Sequence, residues 1–226
     1  MSAPHGRSEG AAVGRLPLAR RVLRHFWFKA LGTTAYTWVF FVAYFRLLHH
    51  PYAAVTVMPL TPIDHWIAFE PWALPIYLSL WLYVSLPVAL MQRRRDIVAF
   101  GLRIAVPCLL GLAVFALWPS ALPPTHQDWA LHPAVAWLKR TDSAGNACPS
   151  LHVACAVFAG YWLHRLLGEF AAPAPVRWLN WLWCAAIVYS TIAVRQHVAV
   201  DVFAGALLGG ASAWLTRPRR IAGVRA

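Results

Sequence analysis

Two short polar strings interrupt an otherwise apolar chain: Cys148-Pro-Ser-Leu-His152 and Ser190-Thr-Ile-Ala-Val-Arg-Gln-His-Val-Ala-Val-Asp201. In the second, His197 and Asp201 are four residues apart and share one face of a helix. A carboxylate so placed can accept the imidazole Nδ1–H, which fixes the tautomer and leaves Nε2 free as a nucleophile or base. Asp201 lies in Val-Ala-Val-Asp-Val-Phe-Ala, where an unpartnered charge is expensive; His197 is its evident partner. In the first string Ser150 is a good helix N-cap, and the backbone N–H groups of Leu151 and His152 behind it would face an anion. Taken singly, each residue has a plainer role as an interfacial polar group, a cap or a helix-packing contact. Together they bring two histidines, a cap serine and an oriented carboxylate to one face.

The elements that must hold these residues are membrane spans. Of the 226 residues 60% are apolar and only 12% charged, about half the charge of a soluble domain. Charge-free runs of about 17 to 21 residues recur, the length that crosses hydrocarbon. This excludes a soluble enzyme, a disordered chain and a disulfide-stapled secreted module. Six spans are predicted, at Phe26–Leu48, Trp72–Met91, Ile97–Trp118, Leu151–Leu167, Trp178–Val194 and Val198–Leu215. The first is longer than the apolar core of a signal peptide and ends in Arg46-Leu-Leu-His-His, so it reads as an uncleaved span. The predicted fold class is therefore all-α, a polytopic membrane protein of six transmembrane helices. Its domain is 26–215, between a basic tail 1–25 and a second basic tail 216–226. The first tail carries Arg7, Arg15, Arg20, Arg21 and Arg24, and a short interfacial helix is expected around Leu16–Phe26.

An even number of spans puts both termini on one side. That side holds sixteen of the twenty cations, which makes it cytoplasmic. The outer side receives His49–Pro71, Pro119–Pro149 and the turn near Arg195, with Trp66, Trp72, Trp118, Trp129 and Trp137 as an interfacial belt. Proline density in Ser120–Thr125 predicts extended backbone on the membrane surface. A net charge of +12 would suggest nucleic acid in a soluble protein. Here the cations sit in loops and tails that meet lipid headgroups, and no basic helix or aromatic-basic groove appears, so no nucleic-acid partner is expected. Cys108, Cys148, Cys155 and Cys184 form no CxxC pair and read as packing residues. His49, His50, His65, His126 and His132 show no ligand spacing, and no metal or other cofactor is expected.

Pro149-Ser150-x-His152, followed by Ser190 and after six residues His197-x3-Asp201, resembles the type 2 phosphatidic acid phosphatase (PAP2) superfamily. The nearest resemblance is to its branch with a Pro-Ser-Leu-His second motif, which includes inositol phosphorylceramide synthase-like proteins. Met58-Pro-Leu-Thr-Pro-Ile-Asp64 and Tyr77-Leu-Ser-Leu-Trp-Leu-Tyr83 are similar to the first loop and second span of that branch, so the resemblance covers Phe26–Leu215. It implies a PAP2-like helical bundle and a set of roles. His197 would attack phosphorus and form a phosphohistidine, with Asp201 orienting it. His152 would protonate the leaving lipid alkoxide and then deprotonate the acceptor. Ser150 and the backbone at Leu151 would hold phosphate oxygens, without a metal.

The sequence also departs from the family. The first motif, a Lys, six residues and Arg-Pro, is absent, and Trp118-Pro-Ser-Ala-Leu-Pro-Pro124 stands in its place. Thr191 replaces the Arg of the third motif, and Leu151 the Gly of the second. Arg195 is the best substitute cation, with Lys139, Arg140 and His126 as weaker ones. The expected function is a membrane lipid phosphatase acting on phosphatidate, a polyprenyl diphosphate or a phosphorylated glycolipid at the outer face. The alternative is a transferase that passes a phosphorylated head group to an alcohol; a phosphodiester carries one charge fewer and needs fewer cations. A third reading, a non-catalytic binder or transporter with a proton relay, would need polar residues through the whole bilayer depth. The dominance of Arg over Lys points to a GC-rich bacterial genome, hence to the cytoplasmic (inner) membrane with the site facing the periplasm or exterior. Nothing in the sequence sets the oligomeric state.

Overall fold

A computed structural model of the protein describes residues 18–217 except His126 and Ser143. Arg7 and Arg15 of the first tail, Leu16 of the expected interfacial helix, Arg219, Arg220 and Arg225 of the second tail, and His126 lie outside the described residues. The chain is mostly helical. A short helix α1 (Leu18–Leu23) precedes α2 (Phe26–His49), and Lys29 ties this end together by donating to the Arg21 and Ala89 carbonyls at 2.8 and 2.7 Å. The segment that follows holds a strand β1 (Thr56–Val57) and a helical turn α3 (Pro62–Trp66).

The second predicted span is built in pieces. A 3-10 turn at Pro71–Ala73 leads into α4 (Leu74–Leu78) and α5 (Leu80–Leu90). The helix tightens at Ser79, whose hydroxyl donates back to the Ile76 carbonyl at 2.6 Å. Next come α6 (Arg94–Leu117), a strand β2 (Ser120–Ala121), α7 (Pro133–Thr141), α8 (Leu151–Glu169), α9 (Ala174–Ala193) and α10 (Ala199–Leu215). Helices thus occur at all six predicted span positions. Among the described residues, two stretches, Pro71–Leu90 and Arg94–Leu117, are long and apolar enough to cross a membrane. The Trp, Tyr, His and Arg residues of α2, α8 and α9 lower their hydropathy, and α10 is apolar but shorter.

β1 and β2 pair in parallel, Thr56 opposite Ser120 and Val57 opposite Ala121. Leu122 then donates to the Ala144 carbonyl at 2.8 Å. The proline-dense strip expected to be extended is paired with other segments of the chain. Its backbone is extended at Ser120–Leu122, and it meets protein carbonyls and N–H groups, because a backbone group in this position must find a partner.

α8 is the central helix, packed against α5, α6, α9 and α10. Ala154, Ala156, Ala159 and Gly160 are fully or almost fully buried along it. Small residues decide how near its neighbours come. A Cβ on Gly205 of α10 would lie 2.3 Å from the Ser150 carbonyl oxygen, and one on Gly209 would lie 2.3 Å from that of Ala154. Between apolar helices in lipid, such close backbone approach supplies the packing energy that a hydrophobic driving force supplies in water. Asn180 adds a buried polar tie, accepting from the Tyr83 hydroxyl at 2.8 Å and donating to the Gly160 carbonyl at 3.1 Å. Large apolar side chains cover the outside, with Leu102, Leu82, Phe203 and Leu182 about two-thirds exposed.

Candidate active site

The two polar strings meet where α8 and α10 begin. Ser150 caps α8: its Oγ accepts the Val153 N–H at 3.3 Å, and its own N–H donates to the Asp201 carbonyl at 3.0 Å. Gly205, one helical turn beyond Asp201, allows this contact by leaving room for the Ser150 carbonyl. The Ser150 hydroxyl is fully buried in this cap. Leu151 and His152 follow, with first-turn N–H groups that have no acceptor inside the helix.

The second string reverses the chain between α9 and α10. Arg195 stands in the left-handed region at φ 59°, and His197 N–H and Gln196 N–H both donate to the Thr191 carbonyl. Asp201, fully buried, uses Oδ2 to accept the Val198 N–H at 3.2 Å and so caps α10. The same oxygen lies 3.6 Å from His197 Nδ1. The expected imidazole–carboxylate pair is therefore present as a close approach, with Asp201 divided between helix cap and histidine.

On its other side His197 meets the second histidine: Nε2 lies 3.3 Å from His152 Nδ1. His152 Nε2 in turn is 2.6 Å from the Tyr77 hydroxyl and 3.8 Å from Asp142 Oδ2. Tyr44 donates to the other Asp142 oxygen at 2.8 Å. Tyr77, Asp142 and Tyr44 were not foreseen, although tyrosines inside apolar spans and a lone acid among outer cations are polar signals of the expected kind.

His152, His197, Asp142 and Tyr77 line one end of an elongated cavity of about 540 Å³. Its remaining wall is predominantly apolar, formed by α2, α4, α5 and α6. Along α2 it runs from Phe45 to Phe28, roughly 25 Å at 1.5 Å per residue.

The candidate cations are engaged elsewhere. The Arg195 guanidinium donates to the Asp64 and Ile67 carbonyls, both at 3.0 Å, and does not line the cavity. Lys139 donates from Nζ to the Arg195 carbonyl and packs over the Trp129 ring; burial pushes its pKa down to about 8. Arg140 is exposed. Thr191 turns its hydroxyl back to the Val188 carbonyl at 2.7 Å and brings no charge. The Asp64 carboxylate fastens the turn from outside, accepting the Ala199 N–H at 2.7 Å. Burial first and the Asp201 charge second push the Cys148 thiol up to about 11, which keeps it protonated at neutral pH.

Two histidines and a helix start thus meet at the head of a largely apolar cavity. The PAP2 superfamily model matches residues 95–220, more than half of the chain, and the chain belongs to that superfamily. The match takes in both polar strings and leaves out α2 and α4, which bring Tyr44 and Tyr77. Membership suggests phosphatase or phosphotransferase activity on lipid-like substrates and association with a membrane. No curated protein and no solved structure matches the chain.

Proposed function

We propose that the protein is an integral membrane lipid phosphatase working through a phosphohistidine at His197. The observation that carries this reading is the 3.3 Å approach of His197 Nε2 to His152 Nδ1 at the polar end of an apolar cavity. The lipid chain occupies the cavity, and the phosphoryl group enters between the two rings. A hydroxyl donated by Tyr77 to His152 Nε2 leaves the proton on His152 Nδ1, and His197 Nε2 then presents a lone pair.

In the first step the His197 Nε2–P bond forms as the P–O bond to the lipid alkoxide breaks. Asp201 balances the imidazolium, and the His152 proton passes to the alkoxide. The first-turn N–H groups of Leu151 and His152 hold phosphoryl oxygens. Ser150 keeps that turn in place as its cap, and Arg195 adds positive charge from the turn it anchors. In the second step water attacks phosphorus, the N–P bond breaks, and His152 takes the water proton. No step requires a metal.

The six helices at the predicted span positions form one membrane domain, 26–215, with both termini cytoplasmic and the site facing the periplasm or exterior. The outward-facing leucines and phenylalanines support this arrangement, since exposed apolar surface of this extent belongs against lipid. An alcohol in place of water would make the protein a head-group transferase like the inositol phosphorylceramide synthase-like branch. The tethering of Arg195 and Lys139 to backbone carbonyls favours that variant for substrates of low charge.

The test is release of phosphate from a panel of phosphorylated lipids by purified protein, with and without chelator, beside His197→Ala. Release that resists the chelator and disappears in the variant is expected. Release retained by His197→Ala would refute the assignment.

A further inference from the structure

Asp142 is the carboxylate that the mechanism above does not use. Tyr44 holds its Oδ1 at 2.8 Å. Its Oδ2 lies 3.8 Å from His152 Nε2 on the cavity wall and, among the described residues, receives no hydrogen bond. Asp142 and both histidines line the same end of the cavity, with Asp142 on the Nε2 side of the His152 ring and His197 on its Nδ1 side, so this oxygen lies across the ring from a phosphoryl group on His197, where a head group would reach.

The charge balance there is unusual for a phosphate site. Asp201 offsets the positive charge of His197, and the start of α8 contributes about half a unit charge. Arg195 and Lys139 hold backbone carbonyls and do not line the cavity. Lys29 lines the cavity among the residues of its far end and is bonded to the Arg21 and Ala89 carbonyls. A phosphate monoester brings about 1.5 to 2 negative charges at neutral pH, whereas a diester brings one. At this end of the cavity the second charge meets the Asp142 carboxylate; among the described residues Lys29, at the far end, is the one Lys or Arg that lines the cavity, and Lys139 interacts with Asp142 from outside the lining.

We propose that Asp142 is a specificity-determining residue that selects phosphodiesters over phosphate monoesters, repelling the second phosphate charge and accepting a hydrogen bond from a head-group hydroxyl. This rests on the phosphohistidine reading above. The chemistry is unchanged: the P–O bond to the lipid breaks, the N–P bond forms, and the head group stays on phosphorus until water or an alcohol replaces His197.

Two short-chain lipids that differ only in head group, dioctanoyl phosphatidate and dioctanoyl phosphatidylglycerol, give the same product, diacylglycerol. Its release by purified wild type, Asp142→Asn, Asp142→Glu and His197→Ala yields kcat/KM for each. The wild type is expected to prefer the diester. Asp142→Asn, which keeps an acceptor for Tyr44, should raise the monoester-to-diester ratio on the order of tenfold, mainly through a lower KM for phosphatidate. Asp142→Glu should retain the wild-type preference. An unchanged ratio, or an equal loss on both lipids, would overturn the role of Asp142 while leaving His197-dependent release intact. Absence of release from either lipid by the wild type would instead overturn the phosphoester reading and this inference with it.

Discussion

Lys139 shows how single residues hold the turn before His197. Its ammonium donates to the carbonyl of Arg195, a residue in the left-handed region two positions before His197. Burial lowers its pKa from the ordinary 10.5 to about 8. Between those values the native protein has released a proton that the unfolded chain still binds, so this group makes stability rise with pH across the window. The thermal midpoint of detergent-solubilised protein, followed from about pH 8 upward, should climb more steeply in the wild type than in Lys139→Met. Equal slopes would show that the lysine does not titrate there. His152, His197, Asp201 and Ser150 were legible in the sequence, because a cap and an i, i+4 pair are local patterns. Tyr77 lies 75 positions from His152, and Tyr44 lies 98 from Asp142; no local spacing joins such pairs. The substitute role of Arg195 was read from proximity along the chain, but its side chain reaches the segment before α4.

At the scale of elements, the site exists because α8 and α10 touch backbone to backbone. Gly205 and Gly209 sit one turn apart on α10, each against an α8 carbonyl. Gly205→Val would force Ser150 away from Asp201, and overpacking of this kind costs about 1–3 kcal/mol. The expected result is a lower thermal midpoint and lost turnover together. Gly168→Val, where a Cβ meets nothing within 4 Å, should leave turnover close to wild type. Full activity in Gly205→Val would show that the close approach is dispensable. Helix positions were readable from the apolar runs. α3, α7 and the β1–β2 pair were not, because they are short and are held by contacts between segments far apart in the chain.

For the whole molecule, the cavity joins the two levels. Its apolar length lies among α2, α4, α5 and α6, and its polar end is closed by α7, α8 and the turn before α10. The half of the chain that matches the PAP2 superfamily supplies the histidines, while the preceding helices supply much of the apolar wall and the tyrosines beside Asp142 and His152. The most direct test is to quench the purified protein during turnover of a lipid labelled in its phosphoryl group and to map the label by mass spectrometry under alkaline conditions, which preserve phosphohistidine. Label is expected on His197 and is lost in His197→Ala. Turnover with no label on His197, or label unchanged in His197→Ala, would contradict the phosphohistidine reading.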